Sequence, residues 1–421
     1  MKKLRIGVVG VGRGASMMKY CKLADNAELV AVCDNWVDGL RAKEKEMSDS
    51  GVTFYESYDE FLNHDMDAVV LANYATEHVP FALKAFDKGL DVFSEVLPCH
   101  NMKQAVELVE AIERTGRKYC YLENTCYMPG PMEMKKLYRA GELGEFEYGE
   151  GEYCHNCESI WPKITHGDPA HWRNNMFVTF YCTHSLGPLI HITGLRPVSV
   201  TGLEMPNNER MRNMGRTQGV AGLEMVTLEN GAILKSLHGE LYCHSIWFSI
   251  YGSKGRMETA REDAEMGHSA RFYKNVYKVA GDYTNADNHV EVNYLPKDNF
   301  STLAKKFSHM GCDFYCMWNA VEYMLGNPNA DPINVYEALD MYLPGLFAYF
   351  SILDGGKPQK LPDLRNPEER DAWRNDTRCT DPKVAGDQLL PCYSKPVDPI
   401  PDEVFKKVQA DWEKIAPPKS K

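Results

Sequence analysis

No stretch of the chain approaches the roughly 18 apolar residues that a bilayer-spanning helix needs. The start, MKKLRIGVVG, runs straight into a strand-like segment rather than an apolar leader with a cleavage site. Export and membrane insertion are therefore disfavoured, and a cytoplasmic location is expected. Clustered positive charge is also missing: 47 Lys and Arg stand against 59 Asp and Glu, a formal net charge of -12 with no basic block. Nucleic acid is thereby excluded as an expected partner, because phosphate neutralisation requires grouped cations. Thirteen Cys, an odd number at scattered spacing, do not form a disulfide framework and fit reduced thiols. Internal repeats and low-complexity tracts are absent as well. What remains is 421 residues, 44% hydrophobic and 11% aromatic, which is enough for two packed cores and argues against disorder.

The first 125 residues alternate short apolar runs with amphipathic stretches of helical length, the pattern of βαβ units in a parallel sheet. Leu4 to Val9, Glu28 to Cys33, Ala68 to Ala72, Val92 to Phe93 and Lys118 to Leu122 read as buried strands. His78 to Lys88 and Met102 to Thr115 read as helices stopped by Gly89 and Gly116. After Gly144, Glu145 to Tyr153, Ser199 to Glu204, Gly222 to Leu228, Ala232 to His238 and Ile246 to Tyr251 read as strands of a large open sheet, mainly antiparallel. Asn230-Gly231 is a hairpin signal. Asp313 to Leu325 and Val335 to Leu353 read as helices, the second with a kink expected at Pro344. The expected α/β fold is thus a doubly wound parallel sheet (1–125), a substrate domain with an open sheet (126–361) and a surface-wrapping extension (362–421). An open sheet face needs a cover, so a homo-oligomer, dimer or tetramer, is expected.

Gly10-Val11-Gly12-Arg13-Gly14-Ala15 follows the first strand and opens a helix, so Gly10, Gly12 and Ala15 fill the small positions of the G-x-G-x-x-G/A fingerprint. Asp34 lies 24 residues after Gly10, at the end of the second strand, where a carboxylate accepts from the ribose hydroxyls. That pairing points to NAD rather than NADP. Cys154-His155-Asn156-Cys157 raises a metal reading, but a lone C-x-x-C without a partner pair is read as buried thiols, and no metal is expected.

These residues resemble the Gfo/Idh/MocA oxidoreductases over about residues 3 to 362. The landmarks are Gly10 to Ala15, Ala72-Asn73-Tyr74-Ala75-Thr76-Glu77-His78, Ser94-Glu95-Val96-Leu97-Pro98, Glu123-Asn124 and Asp331-Pro332-Ile333-Asn334-Val335-Tyr336. Most family dehydrogenases carry Glu-Lys-Pro where this chain has Glu95-Val96-Leu97-Pro98, and an Asp where it has Phe180, four residues before His184. Of that trio only the histidine is present. The Val96 replacement, Glu123-Asn124-Thr125-Cys126-Tyr127 and Tyr181-Cys182-Thr183-His184-Ser185-Leu186-Gly187-Pro188 resemble the NAD-dependent glycosidases of glycoside hydrolase family 109, as does His309-Met310-Gly311-Cys312-Asp313. The hairpin Leu241-Tyr242-Cys243-His244-Ser245 departs from that branch, with His244 where a substrate-contacting Tyr stands there.

The resemblance implies oxidation at carbon 3 of a bound glycoside, elimination across carbons 1 and 2, and addition of water. Such a cycle needs proton carriers with pKa values near neutrality, and imidazole has one. His184, Tyr181 and Tyr153 are the catalytic candidates, with Arg173, Thr183, His244, His309 and Asp313 as substrate contacts. Gly10, Gly12, Arg13, Gly14, Ala15, Asp34, Asn73, Tyr74, His78, Glu95, Val96 and Asn124 are the cofactor candidates. Two alternatives stay open: a sugar or glycoside 3-dehydrogenase giving a 3-keto product, and a non-catalytic NAD-bound sugar sensor.

Overall fold

The computed structural model describes residues 2–263 and 270–416. Six short apolar segments form the first sheet: β1 (Leu4–Val9), β2 (Ala27–Cys33), β3 (Thr53–Tyr55), β4 (Ala68–Leu71), β5 (Asp91–Ser94) and β6 (Tyr119–Tyr121). Their order is β3-β2-β1-β4-β5-β6, with every pairing parallel. Strands such as β4 are buried at every residue because helices cover both faces, which is why they read as continuous apolar runs. The order reverses between β1 and β4, and ligands of such sheets bind at that switch point. Helix Met102–Thr115 is set by its ends: the Asn101 side chain accepts from Gln104 N–H at 3.0 Å, and Gly116 takes the left-handed conformation that terminates it.

The second sheet contains β7 (Phe146–Cys154), β8 (Pro197–Glu204), β9 (Ala221–Leu228), β10 (Ile233–Gly239), β11 (Ser245–Gly252), β12 (Gly255–Thr259), β13 (Phe272–Tyr277), β14 (His289–Tyr294) and β15 (Gln359–Lys360). It is antiparallel apart from the β7/β10 pair, in the order β14-β13-β12-β11-β7-β10-β9-β8-β15. This mixed α/β architecture is the expected fold class. The β9–β10 hairpin turns at Asn230-Gly231, with Gly231 at φ +86°. β12 to β14 were not among the expected strands: their residues are mostly half-exposed or exposed, so no apolar alternation marks them. Helices Thr183–Thr193 and Val335–Leu353 pack on this sheet, and the second runs on through Pro344. Among the described residues no helix is long and apolar enough to cross a membrane.

From Pro362 the chain crosses the first domain, where Arg370 pairs with Glu113 and Arg374 with Glu110. It then returns to the segments around β8 and β9 of the second sheet. Arg212 donates to the Asp398 carbonyl at 2.9 Å, and helix Asp402–Glu413 closes a small core in which Val408 joins Trp161, Met211, Met214 and Val220. Trp412 stacks on His166 at 4.1 Å and lies 5.9 Å from Trp36.

Alternation along β7 sends Gly151, Tyr153 and His155 to one face and Glu150 and Glu152 to the other, where they pair with Lys235 and Arg261. Gly151 allows helix Thr183–Thr193 to approach closely: a Cβ there would lie 1.9 Å from the Ser185 carbonyl oxygen. That contact sets the height of the helix turn bearing His184 above Tyr153. Gly151→Ala is therefore expected to cost roughly 2 kcal/mol, within the range of overpacked cores. A urea unfolding midpoint equal to that of the parent protein would contradict this account.

Candidate active site

β1 delivers the chain to Gly10, whose φ of +98° only glycine adopts freely; a Cβ would also lie 2.4 Å from the Ala72 carbonyl oxygen. Gly12 is different, since a Cβ there would meet nothing within 4 Å, leaving an open cradle at the start of helix Ala15–Leu23. A helix N-terminus with uncovered N–H groups is suited to a pyrophosphate. Asp34 Oδ2 accepts from Val11 N–H at 2.7 Å and Oδ1 from Trp36 N–H at 2.8 Å, so the carboxylate also braces the loop. Each oxygen keeps lone-pair capacity for a ribose hydroxyl. Burial raises the Asp34 pKa, against the lowering effect of these backbone donors. The open cradle and the carboxylate together fit NAD.

Arg13 does not point along the loop. Its guanidinium donates to Asp313 at 3.0 and 2.9 Å and lies 2.7 Å from Glu95. Asp313 also accepts from Ser16 Oγ (2.8 Å) and Asn124 Nδ2 (2.8 Å), and His309 Nδ1 lies 3.1 Å away. Burial would favour its neutral form, but the His309 and Arg13 contacts outweigh it and hold the carboxyl far below the usual carboxylate range. Asp313 was expected to contact substrate; with its oxygens taken by four side chains, it instead locks the glycine loop to helix Cys312–Met324.

The cavity beside this clamp has a volume of about 320 Å³ and is bounded by Glu95, Val96 and Asn124 on the cofactor side and by Tyr153, Arg173, Tyr181 and His184 on the other. His184 sits in the first turn of helix Thr183–Thr193, and its Nδ1 lies 2.7 Å from Glu123 Oε1. Glu123 is wholly buried and its Oε1 also accepts from Thr125 Oγ1 at 2.7 Å. Burial opposes its ionisation, but the His184 charge and hydrogen bonds prevail, so its pKa is lowered. Fixing Nδ1 in this way leaves Nε2 for the cavity. The Tyr153 ring lies 4.5 Å from His184, and the Tyr181 ring stacks parallel to it at 5.6 Å. Burial pushes the Tyr181 hydroxyl up to about 12 and raises Tyr153 as well, so both stay protonated near neutrality.

Several expected residues lie elsewhere. Thr183, expected as a substrate contact, is fully buried and off the cavity wall, because one step along a helix turns a side chain by about 100° from His184. His244 is exposed, 4.9 Å from His155, and also misses the wall; its segment is not the expected hairpin, because β10 and β11 lie on either side of β7 and do not pair. His78, expected at the cofactor, is buried behind the cleft with Nδ1 2.8 Å from the Leu97 carbonyl. Tyr74 projects outward beside His171, whereas Asn73 lines the cavity and donates to Glu77 at 3.1 Å. His309 is on the wall. Cys154 and Cys157 are both buried; Cys157 Sγ lies 3.1 Å from His155 Nδ1, and among the described residues no three His, Cys, Asp or Glu side chains are placed to hold a metal.

Glu123, His238, and the Arg216–Glu240 ion pair were not foreseen as site residues. Glu123 is 61 residues from its partner, so no local spacing announces the pair. His238 stands beside Tyr153 in the β7/β10 register, which becomes readable only once that parallel pairing is known. Two outcomes are expected. Because the Glu123 pKa is depressed on folding, its contribution is present above the unfolded value of about 4.3 and is lost as pH falls below it. The parent protein should thus lose more stability than Glu123→Gln between pH 6 and 3.5 in urea titrations; equal losses would contradict the pairing. Asp34→Ala, which removes both the loop brace and the ribose acceptor, should weaken NAD+ binding to cofactor-stripped protein about tenfold or more in a fluorescence titration.

Residues 4–122 match the family described as an oxidoreductase family with an NAD-binding Rossmann fold, GFO_IDH_MocA. A protein from Solibacter usitatus named glycosyl hydrolase family 109 protein is 24% identical, over 86% of this chain and 88% of its own length. An alpha-N-acetylgalactosaminidase from Tannerella forsythia is 23% identical, covering 86% of each chain. Among solved structures, an oxidoreductase from Agrobacterium radiobacter in complex with NAD+, L-tartaric acid and magnesium superimposes with a TM-score of 0.68 at 15% identity, over 85% of this chain and 98% of that one. That likeness concerns the fold. The family match is confined to residues 4–122, where the glycine loop and the parallel strand order agree with an NAD-binding Rossmann fold.

Proposed function

We propose that the protein is an NAD-dependent enzyme that cleaves a glycoside by transient oxidation at carbon 3. The observation that carries this reading is the buried Glu123–His184 pair facing the cavity beside Val96, the position where an ammonium group would otherwise manage the proton. Similarity to proteins named glycosyl hydrolase family 109 along most of the chain supports it. Bound NAD+ supplies the acceptor for the carbon 3 hydride and the donor that returns it, so the net change is addition of water across the glycosidic bond.

The protein's side chains then divide by their protonation states. His184, held at Nδ1 by Glu123, presents Nε2 to accept the proton of the carbon 3 hydroxyl, beside a carboxylate that balances positive charge on the ring. Tyr153 and Tyr181, kept protonated by burial, enter as hydrogen-bond donors to substrate oxygens. Once carbon 3 is a ketone, the carbon 2 proton is acidic; its removal expels the group on carbon 1 and leaves an enone. Water would then add at carbon 1 with a solvent proton at carbon 2, and His184 would give its proton back to the carbon 3 oxygen as the hydride returned from bound NADH.

Turnover in deuterated water should label carbon 2 of the released sugar while NAD+ is not consumed. Retention of the original hydrogen there, with stoichiometric NADH, would instead establish a 3-dehydrogenase, the reading that the oxidoreductase family match favours. His184→Ala should lower kcat/KM by roughly 10²-fold or more, as expected for loss of a general base. No change in any sugar-dependent signal would identify a sensor.

A further inference from the structure

The chain carries a net charge of -12, yet one guanidinium group on the cavity wall has no carboxylate partner among the described residues. Three guanidinium groups line it. Arg13 is held by Glu95 and Asp313, and Arg216 by Glu240. Arg173 makes no ion pair with any carboxylate among the described residues, whereas its two neighbours on the wall are fully matched. Burial holds three of the nearby imidazoles neutral, His155 at about 4 and His171 and His238 at about 3.

Arg173 is also held in place. It begins within the short 3-10 turn Trp172–Asn175, where its N–H donates to His171 Nδ1 at 3.2 Å. Its guanidinium carbon lies 4.7 Å from the Trp172 ring centroid and 5.1 Å from that of Tyr181. Two aromatic faces thus support the cation, and Tyr181 in turn stacks on His184. A planar fork of donors fixed in this way, in a half-enclosed site where charge is poorly screened, matches a carboxylate or sulfate through paired hydrogen bonds. Sugar hydroxyls can accept those hydrogen bonds, but they cannot neutralise the charge.

We infer that the sugar taken into this cavity bears an anionic substituent, a carboxylate or a sulfate ester, received by Arg173. This rests on the glycoside reading above and narrows it to acidic sugars. The test uses NAD-loaded protein and matched aryl glycosides in the gluco and galacto series: neutral hexoside, hexuronide and 6-sulfate. In at least one series an anionic member should exceed the neutral one by tenfold or more in Kd or kcat/KM. The better of the two anionic members identifies carboxylate or sulfate as the group received, and the preference should shrink several-fold between 20 mM and 0.5 M salt. Arg173→Gln should abolish the preference chiefly by weakening the anionic member, Arg173→Lys should restore part of it, and NAD+ affinity in both variants reports that the fold is intact. Equal use of neutral and anionic members in both series, or a preference that survives Arg173→Gln, overturns the inference. Carbon 2 labelling with neutral glycosides and no anionic preference would sink the inference alone. Anionic preference in binding without carbon 2 labelling would sink the glycosidase reading alone.

Discussion

The buried Asp313 carboxylate is the contact on which the cleft depends. A carboxylate this enclosed is tolerated only when its lone pairs are filled by donors, and here they come from Arg13 and Ser16 beside the glycine loop, from Asn124 after β6 and from His309. One charged group therefore fixes the distance between the end of β1 and helix Cys312–Met324, two segments about 300 residues apart in the chain. The width of the cleft that receives a dinucleotide is set there.

The second buried carboxylate has a different task. Glu123 faces an imidazole instead of a guanidinium, so its partner can release and regain a proton while the charge nearby stays balanced. The two acids lie behind the wall of the same cavity, linked through Asn124, which follows Glu123 in the chain and donates to Asp313. Asp313 is tied to the permanently charged Arg13 and keeps the geometry, whereas Glu123 is tied to the imidazole that carries the proposed proton transfer. The surrounding tyrosines are set apart from both acids, since burial leaves their hydroxyls protonated.

Much of the framework was legible in the sequence because local signals agreed with tertiary ones. β1, helix Met102–Thr115 and helix Val335–Leu353 have the expected limits, and for the first helix Asn101 and Gly116 explain why. β3 has only three residues and β14 is mostly exposed on both faces, so neither writes a period into the sequence. At the site, His184 was found by its motif, but Glu123 served only as a landmark, since a hydrogen bond across 61 residues leaves no spacing rule. Adjacency in a motif also misled: Thr183 is next to His184 in sequence and turned into the core in space. His244 shows the reverse case, a polar residue in a chemically suggestive segment that the fold carries from β10 across β7 to β11 and leaves in solvent.

The helix Asp402–Glu413 bears on the order in which the molecule is completed. Trp161 and Val220, whose neighbours Ile160 and Gly219 form part of the cavity wall, share their small core with Val408, and Trp412 covers His166. On the ribosome, both sheets can assemble while that helix is still unmade. The wall of the cavity takes part of its backing from a helix about 240 residues further along than Trp161, so a chain shortened before Asp402 keeps its dinucleotide loop and has that wall unsupported.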